Sequence, residues 1–158
     1  MSKVILPERN SELNGSFPVR APVWWGRRGE NEGGDLAEGT TGRFVVLAHH
    51  KKFRRFEGII ARMLRAPRTL RRPLDDMNSY LWELCDGQRE FEEIVSLMDA
   101  RFDEKVAPAS DRCEAALKQL GEKGFIVFSK RPFEGHWDLA PGIDPAGIIE
   151  DIEGLDSN

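Results

Sequence analysis

Residues Ser79–Ile94 read SYLWELCDGQREFEEI, two short amphipathic helices meeting at a tight turn. With Met77 just upstream, Leu81, Leu84 and Cys85 recur at helical spacing, and Trp82 widens the apolar stripe. Asp86-Gly87 then stops the helix, because glycine accepts the left-handed backbone that follows a last helical turn. The second helix is expected from about Glu90 to Phe102, with Phe91, Ile94, Val95, Met98 and Phe102 on its inner face. Its early acids, Glu90, Glu92 and Glu93, complement the positive end of a helix dipole.

Working outward, DEKVAPAS is a loop, and Ala109 or Ser110 opens a third helix with the stripe Cys113, Ala116, Leu117 and Leu120. Gly124 ends it, and FIVF continues as a short apolar strand or extended packing segment. Upstream, RTLRRPL reads as a strand with Leu70 and Leu74 on one side and Thr69 and Arg71 on the other. Pro73 has no N–H to donate, which suits a sheet edge. Before it, Phe53, Phe56, Ile60, Met63 and Leu64 mark one face of a basic amphipathic helix at about 53–65, and Phe44 to Ala48 form a β-branched strand. Within residues 1–42 only PVWWG, Pro22 to Gly26, carries strand character, and RRGENEGGDLAEGTTG is a loop by composition. The expected organisation is a flexible extension over 1–42, a domain over 43–130, and an acidic Pro/Gly-rich tail over 131–158. That tail contains a small stripe of Ile148, Ile149, Ile152 and Leu155.

Charge is unevenly placed. Ten Lys/Arg face one acid between Arg43 and Arg72, ten acids face two bases between Asp75 and Glu104, and seven acids with no Lys or Arg follow Pro132. Such blocks often complement one another within a chain. No apolar run is long enough to cross a bilayer, and the N-terminus lacks a signal-peptide core, so the cytoplasm is the expected location.

Chemistry is sparse. Adjacent His49 and His50 point to opposite faces of a strand, His136 is remote, and neither cysteine has a partner at ligand spacing, so neither a metal nor another cofactor is expected. No nucleophile motif or phosphate-binding glycine loop is present, and the chain reads as a non-enzyme without catalytic residues. The helix 53–65 has the moment of a membrane-surface helix but is short and lacks Trp, so covering the domain's own core is the preferred reading.

Strands before three helices and a short strand after them give an α+β class, winged-helix-like, with a three-stranded antiparallel sheet followed by a three-helix bundle. Such shapes often bind DNA, but here Glu90, Glu92, Glu93, Asp99, Asp111 and Glu114 would meet the phosphates, which argues against nucleic acid. That use, or a purely structural interaction module, is the alternative.

The run Leu74 to Ile126 resembles the PqqD-like family, peptide chaperones also called RiPP recognition elements. The resemblance rests on Leu74-Asp75, Trp82 eight positions after Leu74, Leu84, the Asp86-Gly87 turn, Glu93-Ile94, Phe102, and Leu120 ahead of Gly124-Phe125-Ile126. The inserted helix at 53–65 and the added ends look like a longer branch. The resemblance implies capture of the leader of a ribosomally made precursor peptide by strand addition, and its presentation to a modifying enzyme, a radical SAM protein being the leading expectation. It implies a peptide-binding edge at Thr69, Leu70, Arg71, Arg72 and Leu74, and a facing wall of Arg112, Ala115, Ala116 and Gln119 on the third helix.

Overall fold

The computed structural model describes residues 11–30, 34–50 and 69–142. The amphipathic segment at 53–65 and the stripe from Ile148 to Leu155 lie outside the described residues. Strands β1 (Phe17–Arg20), β2 (Trp25–Arg28), β3 (Phe44–His50) and β4 (Thr69–Pro73) precede helices α1 (Asp76–Leu84), α2 (Phe91–Phe102) and α3 (Ala109–Glu122). A 3-10 turn, Asp103–Val106, joins α2 to α3, and β5 (Ile126–Ser129) follows. The architecture is α+β with antiparallel sheets and three helices.

The strands divide between two sheets, one in the order β2-β3-β4 and one pairing β1 with β5. One three-stranded sheet followed by three helices therefore describes only part of the chain. Strand β1 was not expected, and β2 begins at Trp25 rather than at Pro22. Chain reversal at Val23, whose N–H reaches Ala21 O, delays β2. Gly26 is then needed inside β2, since a Cβ there would lie 3.0 Å from the Trp24 ring. Arg27 and Arg28, read as loop, belong to this strand.

Helix α1 starts where Asp75 Oδ1 accepts from Asn78 N at 2.7 Å, an N-cap that satisfies an otherwise orphan donor. It is buried on more than one face: Ser79, Tyr80, Leu81, Trp82, Glu83 and Leu84 are all covered. Trp25 and Trp82 meet edge to face at 5.9 Å in the main core. Around them pack Val45 and Leu47 of the sheet, Leu81 and Leu84 of α1, Phe91, Ile94 and Met98 of α2, and Cys113 and Leu117 of α3.

Glu83 is 2% exposed and has a full set of donors. Arg27 Nε approaches at 2.6 Å, Thr41 Oγ1 at 2.8 Å, Thr41 N at 3.1 Å and Gly42 N at 3.3 Å. This carboxylate fixes the loop before β3 and the β2 edge onto α1, and so offsets the cost of its burial. Arg20, also buried, donates from Nη1 to Trp82 O (3.1 Å) and Glu83 O (3.0 Å), the last carbonyls of α1.

The Asp86-Gly87 turn receives β1 on one side: Arg20 N donates to Cys85 O at 3.0 Å and Gly87 N to Pro18 O at 3.0 Å. Residues 131–142 cross the same place. Phe133 N donates to Gly87 O at 2.8 Å, and Phe133 and Trp137 pack with Val19 in a second small core. Trp137 Nε1 reaches Arg20 O at 2.8 Å, and Gly142 N closes on Trp25 O at 2.7 Å.

Candidate functional site

Strand β4 is last in its sheet, and no described strand pairs with its outer margin. Which backbone groups it offers follows from the ladder. Leu74 N donates to Val45 O at 2.9 Å, and Leu47 stands opposite Arg72 and His49 opposite Leu70. In antiparallel pairs, bonded and non-bonded positions alternate. Leu70 and Arg72 therefore bond inward to β3. The N–H groups of Thr69 and Arg71, and the carbonyls of Thr69, Arg71 and Pro73, face outward. Ala48 N, bonded to Trp24 O on the other side of β3, fits the same alternation. Pro73 removes one outward donor at the end nearest the helices.

Side chains alternate as well. Arg72 stands opposite fully buried Leu47 and shares the helix-facing side with Leu74, whereas Arg71 and Pro73 belong to the opposite face. A cleft of about 320 Å³ opens where this margin meets the helices. Arg72, Pro73 and Leu74 form its strand side, and Asp75 and Asn78 its floor at the start of α1. Ala116, Gln119 and Leu120 of α3, with Lys123 at its C-cap, form its wall. Arg72 and Lys123 outnumber Asp75, whose carboxylate already caps α1.

Of the expected residues, Arg72, Leu74, Ala116 and Gln119 thus share one cleft. Thr69, Leu70 and Arg71 lie along β4. Arg112 and Ala115 are exposed on α3 and do not line the cleft. The expected wall of 112, 115, 116 and 119 and the observed 116, 119, 120 and 123 have the same spacing, displaced by one helical turn. Strand β4 runs straight into α1, so its margin meets the C-terminal half of α3. Leu120 and Lys123 were legible as the next i+4 positions, and Asp75 and Asn78 as an N-cap and the residue whose N–H donates to it.

Cys85 and Cys113 are buried, and burial pushes both thiols up, Cys113 to about 12, so neither supplies a thiolate near neutral pH. Among the described residues no group of three His, Cys, Asp or Glu side chains is placed to hold a metal, and no helix is long and apolar enough to cross a membrane.

A strand margin that no described strand pairs, beside a helical wall, is the geometry on which strand addition generally operates. Residues 72–126, about a third of the chain, match the family described as coenzyme PQQ synthesis protein D (PqqD), so this segment is similar to a PqqD-like domain. The match begins inside β4 and ends at the first residue of β5, so it spans all three helices and leaves β1, β2 and β3 outside. No curated protein and no solved structure matches the chain.

Proposed function

We propose that the protein captures the leader of a ribosomally made precursor peptide and presents it to a modifying enzyme, a radical SAM protein being the expected kind. The leader adds as a strand to the outer margin of β4 and sets one or two side chains into the cleft against α3, in the cytoplasm and without a cofactor. On this reading β2-β3-β4 and the three helices act as a winged-helix-like unit whose open edge is the binding edge. The observation that carries it is the cleft itself, lined jointly by the β4 margin and α3, beside outward backbone groups at Thr69, Arg71 and Pro73.

The magnitudes support a carrier. Micromolar binding requires about 8 kcal/mol. Two buried leader side chains contribute roughly 3–6 kcal/mol, and the outward backbone groups about 1 kcal/mol for each bond made. Ordering a flexible peptide costs several kcal/mol. The balance is an affinity no tighter than about micromolar, suited to a peptide that must be handed on. Arg72 and Lys123 favour an acidic leader, an attraction that salt screens. A nucleic-acid role has against it the exposed acids Glu92, Glu93 and Asp99 on α2.

The test is titration with leader peptides encoded beside the gene, followed by calorimetry and by amide shifts of Thr69 and Arg71. Saturable binding with shifts at these two amides is the expected result. Absence of binding by every such leader would sink the proposal, and salt-sensitive retardation of duplex DNA would favour the nucleic-acid role instead.

A further inference from the structure

A second cavity, of about 250 Å³, lies on the other side of the first turn of α1. It is lined by Gly42, Asp76, Tyr80, Arg101, Phe102 and Lys105. Arg101 sits at the end of α2 with its guanidinium 4.8 Å from the Tyr80 ring centroid and 5.7 Å from that of Phe102. Those rings meet edge to face at 5.8 Å, and Ala37 N donates to Tyr80 Oη at 3.0 Å, so the platform under the arginine is held on two sides. The left-handed backbone of Asp103 (φ 48°) then turns the chain so that Lys105 joins the same cavity.

The arginine's bonding is the informative part. Among the described residues the other half-buried arginines all have acceptors. Arg27 bonds Glu83, Arg43 bonds Gly29 O, and Arg89 bonds Asp86 and Glu38 O. Arg101 has no acceptor among the described residues, and none of their carboxylates lies within ion-pair distance of Arg101 or Lys105. A planar guanidinium stacked on aromatic rings is oriented in advance and loses little freedom when it takes a two-oxygen acceptor. Among the described residues Asp76, on the same lining, bonds only its neighbour's N–H at 2.8 Å, and it sets the polarity of the opposite rim. A dianion would be repelled there, whereas a carboxylate followed by an amide N–H presents the right sign to each side.

We propose that this cavity is a second binding site, which takes a carboxylate of a partner polypeptide between Arg101 and Lys105 with the adjacent amide N–H turned toward Asp76. The site is independent of leader capture, since Asp75 and Asn78 face the first cleft and Asp76 and Tyr80 the second. The ligand chemistry is one, a peptide carboxylate, and its source is either an Asp/Glu side chain or a chain terminus.

The experiment follows the Arg101 Nε–Hε resonance of the full chain during titration with four probes: sodium acetate, inorganic phosphate, acetyl-Ala-Glu-Ala-amide and acetyl-Ala-Ala-Ala with a free carboxylate. A saturable shift with one peptide in the roughly millimolar range is expected of a fragment this small, and the peptide that saturates identifies the source. K105Q, at an exposed position, should weaken it about threefold, and R101K, which keeps the charge but not the fork, about tenfold. No saturation by either peptide at about 20 mM overturns the proposal, as does binding that K105Q and R101K leave unchanged. Acetate or phosphate binding as tightly as the peptides overturns the peptide part and leaves a plain anion site.

Discussion

Gly87 and Gly124 allow one contribution to be isolated. Their φ angles are 78° and 81°, so alanine at either pays the same left-handed backbone penalty, about 1–2 kcal/mol. Their surroundings differ. A Cβ at Gly124 meets nothing within 4 Å, whereas one at Gly87 would lie 2.3 Å from Phe133 Cβ, 3.1 Å from Phe133 Cγ and 3.1 Å from Val19 Cγ2. Two responses are open to G87A. The turn and residue 133 can shift while staying packed, an overpacking strain of about 1–3 kcal/mol. Otherwise Phe133 detaches, losing roughly 1.5–3 kcal/mol of burial and about 1 kcal/mol for each of the bonds Phe133 N to Gly87 O and Gln88 Nε2 to Phe133 O. Shifting is the less costly, so G87A should lose about 2–5 kcal/mol and G124A about 1–2 kcal/mol. Urea unfolding of the two variants gives the difference directly, provided the slopes stay equal. Phe133→Gly removes both Phe133 atoms that the new methyl meets and leaves only Val19 Cγ2 at 3.1 Å, and in that background the two alanine variants should agree within about 0.5 kcal/mol. Equal losses in the parent chain would refute the packing of residue 133 on this turn.

Other expectations follow from individual groups. Glu83→Ala leaves Arg27 and the Thr41–Gly42 donors without their acceptor, and should cost about 3–5 kcal/mol in chemical denaturation. Arg72→Glu should weaken an acidic leader by a larger factor than Arg71→Glu, because Arg72 stands on the cleft side of β4 and Arg71 on the other; equal effects in calorimetry would contradict that placement. Cys113 titrates near 12 when folded against an ordinary value of 9.0, so the native state retains a proton that the unfolded chain releases. That stabilisation is fully present below pH 9 and is lost as pH rises toward 12, a decline that Cys113→Ala should flatten in unfolding measured across that range. Asp103→Gly relieves a positive-φ residue and should leave thermal stability unchanged or raise it by up to about 1 kcal/mol.

The helices were readable because each carries a buried apolar stripe at helical spacing, including α1, whose other faces are covered as well. Leu81, Leu84, Phe91, Ile94, Met98, Cys113, Leu117 and Leu120 all face the core, and the glycines at 87 and 124 mark two stops. Strand β1 was not readable: it is four residues long and contains Pro18, and what holds it is backbone pairing to Asp86-Gly87 and to β5, both distant in sequence. Glu83 looked like one more acid in an acidic block, and only the loop at Thr41–Gly42 and Arg27 reveal it as buried. Phe133 and Trp137 sit among glycines and prolines with no repeat to flag them, yet Val19 gives both an apolar surface to cover. For the site, spacing places Ala116 and Gln119 on the face of α3 that lines the cleft, while the height at which β4 crosses it depends on three-dimensional geometry that no periodicity carries.

The Arg20 guanidinium has a consequence for how this module is bounded. It joins the end of α1 to the carbonyl of Leu139, and Trp25 Nε1 ends on that same carbonyl. Three stretches far apart in sequence therefore close over one helix end, two of them outside the segment that matches PqqD. The segment that matches the family and the stretch of chain that packs together are different lengths. A fragment trimmed to the match would keep α1, α2 and α3 but lose β3, the partner that gives β4 its register, along with Trp25 and Val19. In such a fragment the helices would survive as sequence while the strand margin proposed to receive a peptide had nothing to be the margin of.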